Sequence, residues 1–299
     1  MKKFVLFIVG ALLMVFVVPV KAQESSNDGY NPNSVYPIHE DNIMFKKRVW
    51  RRMDLREKQN IPFFSDKNEI TKHIIESATA GIIPIYKDDS LQNRKTKEEF
   101  LESLENPQLQ DLNAGGGGDD AWGDDGGGGD AWGNDGGWGS DDGGGDGGDT
   151  ESSDATEEVD TKFAVREVSV LEIVEDMIFD NQRSVLVWDI QAVKLVIPAE
   201  NFTSGIEKTI GVFKYKDLVD LFRSNPEQMI WFNPQNSAEH KNLADAFALR
   251  LFSARIVKVA NPQDNMIIDV YDESAKQGIM ASQWIEYELM EKEHELWSY

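Results

Sequence analysis

Apolar and polar positions change period several times along the chain. From Phe4 to Val18 every residue is apolar apart from one Gly, a run shorter than the roughly 20 residues a membrane span needs. With Met1-Lys2-Lys3 before it and Val20-Lys21-Ala22 after it, the run fits a secretory signal over 1–22, so the mature chain is expected to start at Gln23 outside the cytoplasm. Further on, Ile70, Ile74 and Ala78 recur every four residues within Glu69 to Ala80, and Gly81 and Pro84 stop the pattern. That spacing predicts a helix. A second, shorter helix is predicted from Thr96, with Glu98 and Glu99 in its first turn and Phe100, Leu101 and Leu104 on its buried side.

Beyond residue 162 the pattern is that of strands. Phe163–Phe179 and Ser184–Ile197 are rich in Val and Ile, and Asp180-Asn181-Gln182-Arg183 supplies turn residues between them, which predicts a long β-hairpin. On its second arm Val185, Val187, Val193, Leu195 and Ile197 share one face, while Leu186, Trp188, Ile190 and Val196 share the other. Both faces therefore read as covered. Helices over Lys216–Arg223, Ala238–Phe252 and Ala275–Leu296 are available as cover, and Arg255–Val259 reads as another strand. The expected fold class is α+β, with an antiparallel sheet and covering helices in a C-terminal domain over 162–299 and a mainly helical region over 23–110.

Between these stretches lies a tract, 111–161, with no helical or strand period. Residues 111–160 hold 18 of the 24 glycines and 16 of the 53 acidic residues, with no Lys or Arg. Glycine loses most backbone freedom on ordering and like charges repel, so the tract is expected to be a disordered tether. Asp120-Ala121-Trp122-Gly123 recurs ten residues later as Asp130-Ala131-Trp132-Gly133, and Gly115 to Gly123 fits one calcium-binding nonapeptide. A calcium roll needs a constant nine-residue period, which the second copy breaks. A secreted calcium-responsive binding module is thus an alternative reading that depends on this tract folding.

The chain has 299 residues, a formal charge of -23 and no cysteine. Without cysteine there is no disulfide framework, thiol nucleophile, Cys-ligated metal or lipidated N-terminal Cys, so membrane anchoring has to come from a partner. The acidic excess argues against nucleic acid, whose phosphates are bound by Lys and Arg. Catalytic signals are sparse. His39, His73, His240 and His294 have no second His at metal-ligand spacing, and Glu291, His294 and Glu295 read better as solvated surface than as a metal site. No G-x-S-x-G elbow occurs, and pairs such as Asp217/Asp220 or Glu98/Glu102 carry little information in so acidic a chain. A secreted carbohydrate-active enzyme remains the other alternative. The prediction is no enzyme activity and no cofactor.

Charges crowd instead around residues 48–57, where Arg51, Arg52, Asp54, Arg56, Glu57 and Lys58 stand beside Trp50 and Leu55. They suit either the solvated face of a helix or an interface anchored by Arg and Trp. Trp284-Ile285-Glu286-Tyr287 and Glu295-Leu296-Trp297-Ser298-Tyr299 pose the same choice at the other end, since terminal aromatic rings dock on a core or on a neighbour. Trp50, Arg51, Arg52, Asp54, Arg56, Trp284 and Trp297 are accordingly the candidate contact or fold-defining residues.

These segments also carry a resemblance. Val49-Trp50-Arg51-Arg52-Met53-Asp54-Leu55-Arg56-Glu57-Lys58-Gln59-Asn60, Glu69-Ile70-Thr71 through Ala80-Gly81, Arg255-Ile256-Val257-Lys258-Val259 and Ala281-Ser282-Gln283-Trp284-Ile285-Glu286-Tyr287-Glu288 resemble the gliding motility family GldN, also called PorN, of the Bacteroidetes. The likeness spans both flanking stretches and leaves out the Gly/Asp tract. It implies a structural periplasmic subunit of the type IX secretion system, associated with the outer membrane. It further implies assembly into a ring with a lipoprotein of the GldK/PorK type, self-association in that ring, and a link to the motor through a GldM/PorM stalk.

Overall fold

The structure, a computed structural model, describes residues 29–106, 163–202, 205–271 and 274–297. The signal over 1–22 and the tract over 111–161 lie outside the described residues. Five strands form one antiparallel sheet: β1 (Ile43–Asp54), β2 (Val170–Asp180), β3 (Val185–Ile197), β4 (Lys208–Lys214) and β5 (Arg255–Val259). Their order is β4-β3-β2-β1-β5. The hairpin predicted from the Val/Ile runs is β2–β3, and β5 has the predicted limits. The α+β class with an antiparallel sheet is therefore what the chain adopts.

The charged stretch around 48–57 departs from expectation. Its first part is neither a helix nor a surface strand: β1 lies between β2 and β5 and pairs with both. Two-residue alternation explains this, because Val49, Arg51 and Met53 face one side while Arg48, Trp50 and Arg52 face the other. Long Arg and Lys stems cover apolar surface as their charged heads find partners, so a charge-rich segment can occupy a sheet interior. The region expected to be mainly helical over 23–110 thus has a 12-residue strand as its longest described element and shares its sheet with the C-terminal stretch.

One face of the sheet carries the main core. Met53, Ile173, Val193 and Leu195 meet α1 (Ile70–Thr79), α2 (Lys97–Leu104), α3 (Tyr215–Ser224) and α4 (Leu243–Ala248) through Ile74, Phe100, Phe222 and Phe247. The first two helices start and stop as their sequence signals require. Thr96 accepts from the Glu99 N–H at 3.2 Å while the Glu99 carboxylate accepts from the Thr96 N–H at 3.1 Å, a reciprocal cap that fixes the start of α2. The helix expected over Ala238–Phe252 is shorter than its apolar stripe suggested. Lys241–Asn242 instead forms a two-residue ladder with Ile230–Trp231, and Asn242 then caps α4 by accepting from the Ala244 N–H at 2.9 Å.

A second, smaller cluster lies on the same face, where Val49, Met177 and Ile256 meet α5 (Ile267–Val270) and the C-terminal helix α6 (Ala275–Leu296) through Ile267, Ala281 and Leu289. The opposite face is covered mainly by a loop, with Trp50, Val174, Ala192 and Val212 under Tyr86 and Leu91. Tyr86 exchanges two backbone hydrogen bonds with Val212, at 2.8 and 3.0 Å, and so shields the β4 edge. Gly211 makes room for that loop, since a Cβ there would stand 2.9 Å from the Ile85 methyl.

The described chain breaks at Asn106 and resumes at Phe163, and the two ends meet. Phe163 N–H donates to the Leu104 carbonyl at 2.9 Å. The described ends on either side of 107–162 are therefore adjacent, and the two flanking stretches belong to one body. Among the described residues no helix is long and apolar enough to cross a membrane.

Candidate interaction surface

The two apolar clusters on the helix-covered face are separated by charge. Arg51 stands between Val49 and Met53 on β1, and Glu175 between Ile173 and Met177 on β2, so a buried ion pair interrupts the core at the boundary. Arg51 Nε donates to Glu175, and Arg250 completes the carboxylate's coordination from the far side, with Nη1 at 2.7 Å and Nη2 at 3.2 Å. Trp188 on β3 holds both guanidiniums, their centres 5.0 and 5.4 Å from the ring centroid. Such stacking suits Arg, whose planar charge pairs sideways and stacks on a ring face at once. The arrangement leaves no isolated buried charge.

The network also reaches α6. Arg51 Nη1 donates to Glu286 at 2.8 Å, and Ser282 Oγ donates to the Ile256 carbonyl at 2.7 Å. With Ala281 and Leu289 these contacts set the rotation of α6 on the sheet. Between α6 and the Arg51–Arg250 pair is a cleft of about 560 Å³, lined by Trp188, Phe252, Glu286 and Glu293 among others.

The rotation leaves aromatic residues outside. Met280, Trp284 and Tyr287 fall at i, i+4 and i+7 of α6, one stripe of a helix. Trp284 is 72% exposed and Tyr287 69%. Ile279 and Met290 are exposed on its flank, and Ile268 and Val270 of α5 and Tyr271 after it are exposed as well. Trp297 meets Phe179 edge-on at 6.0 Å yet remains more than half exposed.

The other face of β1 is a ladder of paired charges. Arg48 grips Asp176 with two bonds, at 2.7 and 2.9 Å, and Lys46 adds a contact at 3.2 Å. Trp50 donates its indole N–H to Asp89 at 2.7 Å, with the Lys258 ammonium 4.5 Å from its ring centroid. Arg52 pairs with Glu207 at 2.6 Å. Past the strand, Arg56 holds both oxygens of Asp54, at 3.1 and 2.8 Å, and also reaches Glu200. Partial burial pushes the Asp54 carboxyl up, but the hydrogen bonds and charge of Arg56 overcome this, so it sits below the ordinary carboxylate range.

The candidate residues thus divide by depth. Trp50 and Arg51 are buried, Arg52 and Asp54 half-buried, and Arg56, Trp284 and Trp297 exposed. Five of the seven sit on β1 or just after it, and Trp284 and Trp297 belong to α6 and its end. Sequence reasoning passed over Glu175, Asp176, Arg250 and Asn60, and it set Trp188 opposite Val193 and Leu195, whereas a register shift near Gln191 brings all three to one face. Glu175 and Asp176 left a signal, adjacent acids between the apolar pairs Ile173-Val174 and Met177-Ile178 of one strand. Asn60 is fully buried and ties the end of β1 to residue 253, donating to the Asp54 and Ser253 carbonyls and accepting from the Ser253 N–H.

Among the described residues no group of three or more His, Asp or Glu is placed to hold a metal ion. Fold and site define a two-layer α+β protein that uses buried ion pairs to present an aromatic helix on its surface. The family described as "Gliding motility associated protein GldN" matches residues 38–298, and the chain belongs to it. It is thus a gliding-motility-associated protein, of a family not known for enzymes. No curated protein matches the chain.

Proposed function

We propose that this protein is a structural, periplasmic subunit of the type IX secretion and gliding machinery. It is held at the outer membrane by a lipoprotein of the GldK/PorK type, joins it in a ring with further copies of itself, and meets the GldM/PorM stalk. The observation that carries this reading is the family match across both stretches that flank the Gly/Asp tract. The exposed aromatic stripe of α6 supports it, because contiguous apolar surface of this kind is characteristic of association sites. A chain without cysteine also cannot carry the lipid anchor of a lipoprotein, so retention at the membrane falls to the partner.

The test is purification of the envelope complex from cells with and without the lipoprotein. The expected outcome is a large assembly containing both proteins, and release of this chain to the soluble periplasm when the lipoprotein is missing. A chain that stays monomeric and partnerless in cells containing the lipoprotein would sink the reading.

A further inference from the structure

We infer that the exposed face of α6 is the seat of the lipid-anchored partner, and that the partner meets it with an apolar groove rimmed by Lys and Arg. This inference rests on the assembly reading above and names the face it uses. Two independent features of the helix point to it. The first is shape: Met280, Trp284 and Tyr287 make a single stripe, with Ile279 and Met290 beside it, which is the pattern of anchors that a helix lays into a groove.

The second feature is charge. Glu286, Glu288, Glu291, Glu293 and Glu295 fall in the last eleven residues of the helix, against Lys292 as the one Lys or Arg there. The C-terminal end of a helix is already the negative end of its dipole, so acids concentrated there are unfavourable in the free protein. Only Glu286, with Arg51, and Glu295, with Lys292, have ion-pair partners among the described residues. Glu288 and Glu291, both exposed, have none there, and a basic rim would supply the missing counter-charge.

Charge also selects the occupant. A second copy of this acidic chain, or an anionic lipid surface, would bring like charge to the patch, whereas a basic protein surface lowers the repulsion. Retention at the membrane calls for a long-lived contact, and long-lived interfaces are the more apolar ones. The aromatic stripe suits that role.

The test uses the full mature chain and the soluble part of the lipoprotein, with affinity measured at two salt concentrations. Trp284→Ala with Tyr287→Ala, and separately Glu288→Lys with Glu291→Lys, should each weaken the complex at least about tenfold. Wild-type affinity should fall as salt rises. The thermal midpoints of the free variants should stay near wild type, because all four side chains are exposed. Wild-type affinity in both variants overturns the inference and leaves the assembly reading standing. Failure of the wild type to bind at all counts against the assembly reading itself. If the variants instead abolish self-association or stalk binding while the lipoprotein still binds, the face belongs to another occupant and the inference is wrong.

Discussion

Arg250 lies in the left-handed backbone region, at φ 52°, and from there holds both carboxylate oxygens of Glu175. It follows the end of α4 in a position that glycine normally fills. The Leu251 N–H donates to the Ala246 carbonyl at 2.9 Å and the Arg250 N–H to the Phe247 carbonyl at 3.0 Å, the pair of bonds that closes a helix through a left-handed residue. A side chain there costs about 1–2 kcal/mol of backbone strain. The fold accepts that cost and gains a guanidinium between Trp188 and Phe252, facing a carboxylate with no other exit from the core.

Removing Glu175 should therefore harm the protein more than removing Arg250. Glu175→Ala leaves two guanidiniums facing each other across a buried gap and is expected to cost about 3–5 kcal/mol. Arg250→Gly loses the pair but releases the strain, and Arg51 still neutralises the carboxylate, so its cost should be clearly smaller. Urea midpoints of the two variants decide the order. A reversed order would mean that the Arg250 stem, rather than its charge, is what the core needs.

The contact between Phe163 and Leu104 makes a prediction about the Gly/Asp tract. Closing a loop costs entropy that grows with its length, so replacing 107–162 by a Gly/Ser turn of about six residues should raise stability by about 2 kcal/mol. Thermal or urea unfolding of the excised chain reads this directly. A loss of stability would show that the tract packs on the fold, contrary to the tether expected from its composition.

Much of the fold was legible because its signals are local. The hairpin β2–β3 follows from Val/Ile runs around a turn, and α1 and α2 from four-residue spacing and a capping box. Residues 48–57 misled because charge density was weighted above alternation. Arg48, Arg51 and Arg52 find carboxylates on residues 124 to 235 positions further along the chain, and no local pattern announces such partners. Arg250 gave no sign at all, since only the three-dimensional course of the chain turns it toward Glu175. On α6 the extent was read correctly, but which aromatic ring faced outward depended on how Ser282, Ala281 and Leu289 seat the helix on β5.

The cap of α2 offers a test of the local signals. Thr96→Ala removes the acceptor for the Glu99 N–H and should lower stability by about 1 kcal/mol, whereas Thr96→Asn or Thr96→Ser should recover most of it. A change confined to Glu99→Gln should retain the reciprocal bond to the Thr96 N–H while giving up the ion pair with Lys87. Chemical denaturation of these variants separates the capping bonds from the charge.

Asp189 makes stability depend on pH in an unusual direction. Its carboxyl is buried on β3 directly across from Asp176 on β2. Burial pushes it above the ordinary carboxylate range and the Asp176 charge adds to the shift, while hydrogen bonds, including one from Gln191 at 2.6 Å, oppose it. A raised folded value means that the native protein binds this proton at pH values where the unfolded chain has already lost it. By linkage, the stabilising contribution is complete below the ordinary unfolded value and disappears as pH rises through the folded one. Other carboxylates, Asp54 and Glu69 among them, are shifted downward and act in the opposite sense, so the total pH profile hides the effect. The difference between wild type and Asp189→Asn isolates it. Unfolding free energies measured from about pH 4 to 7 should move in favour of the variant as pH rises. A difference that stays flat, or tilts toward the wild type, would mean that Asp189 is ionised and adequately compensated in the folded protein.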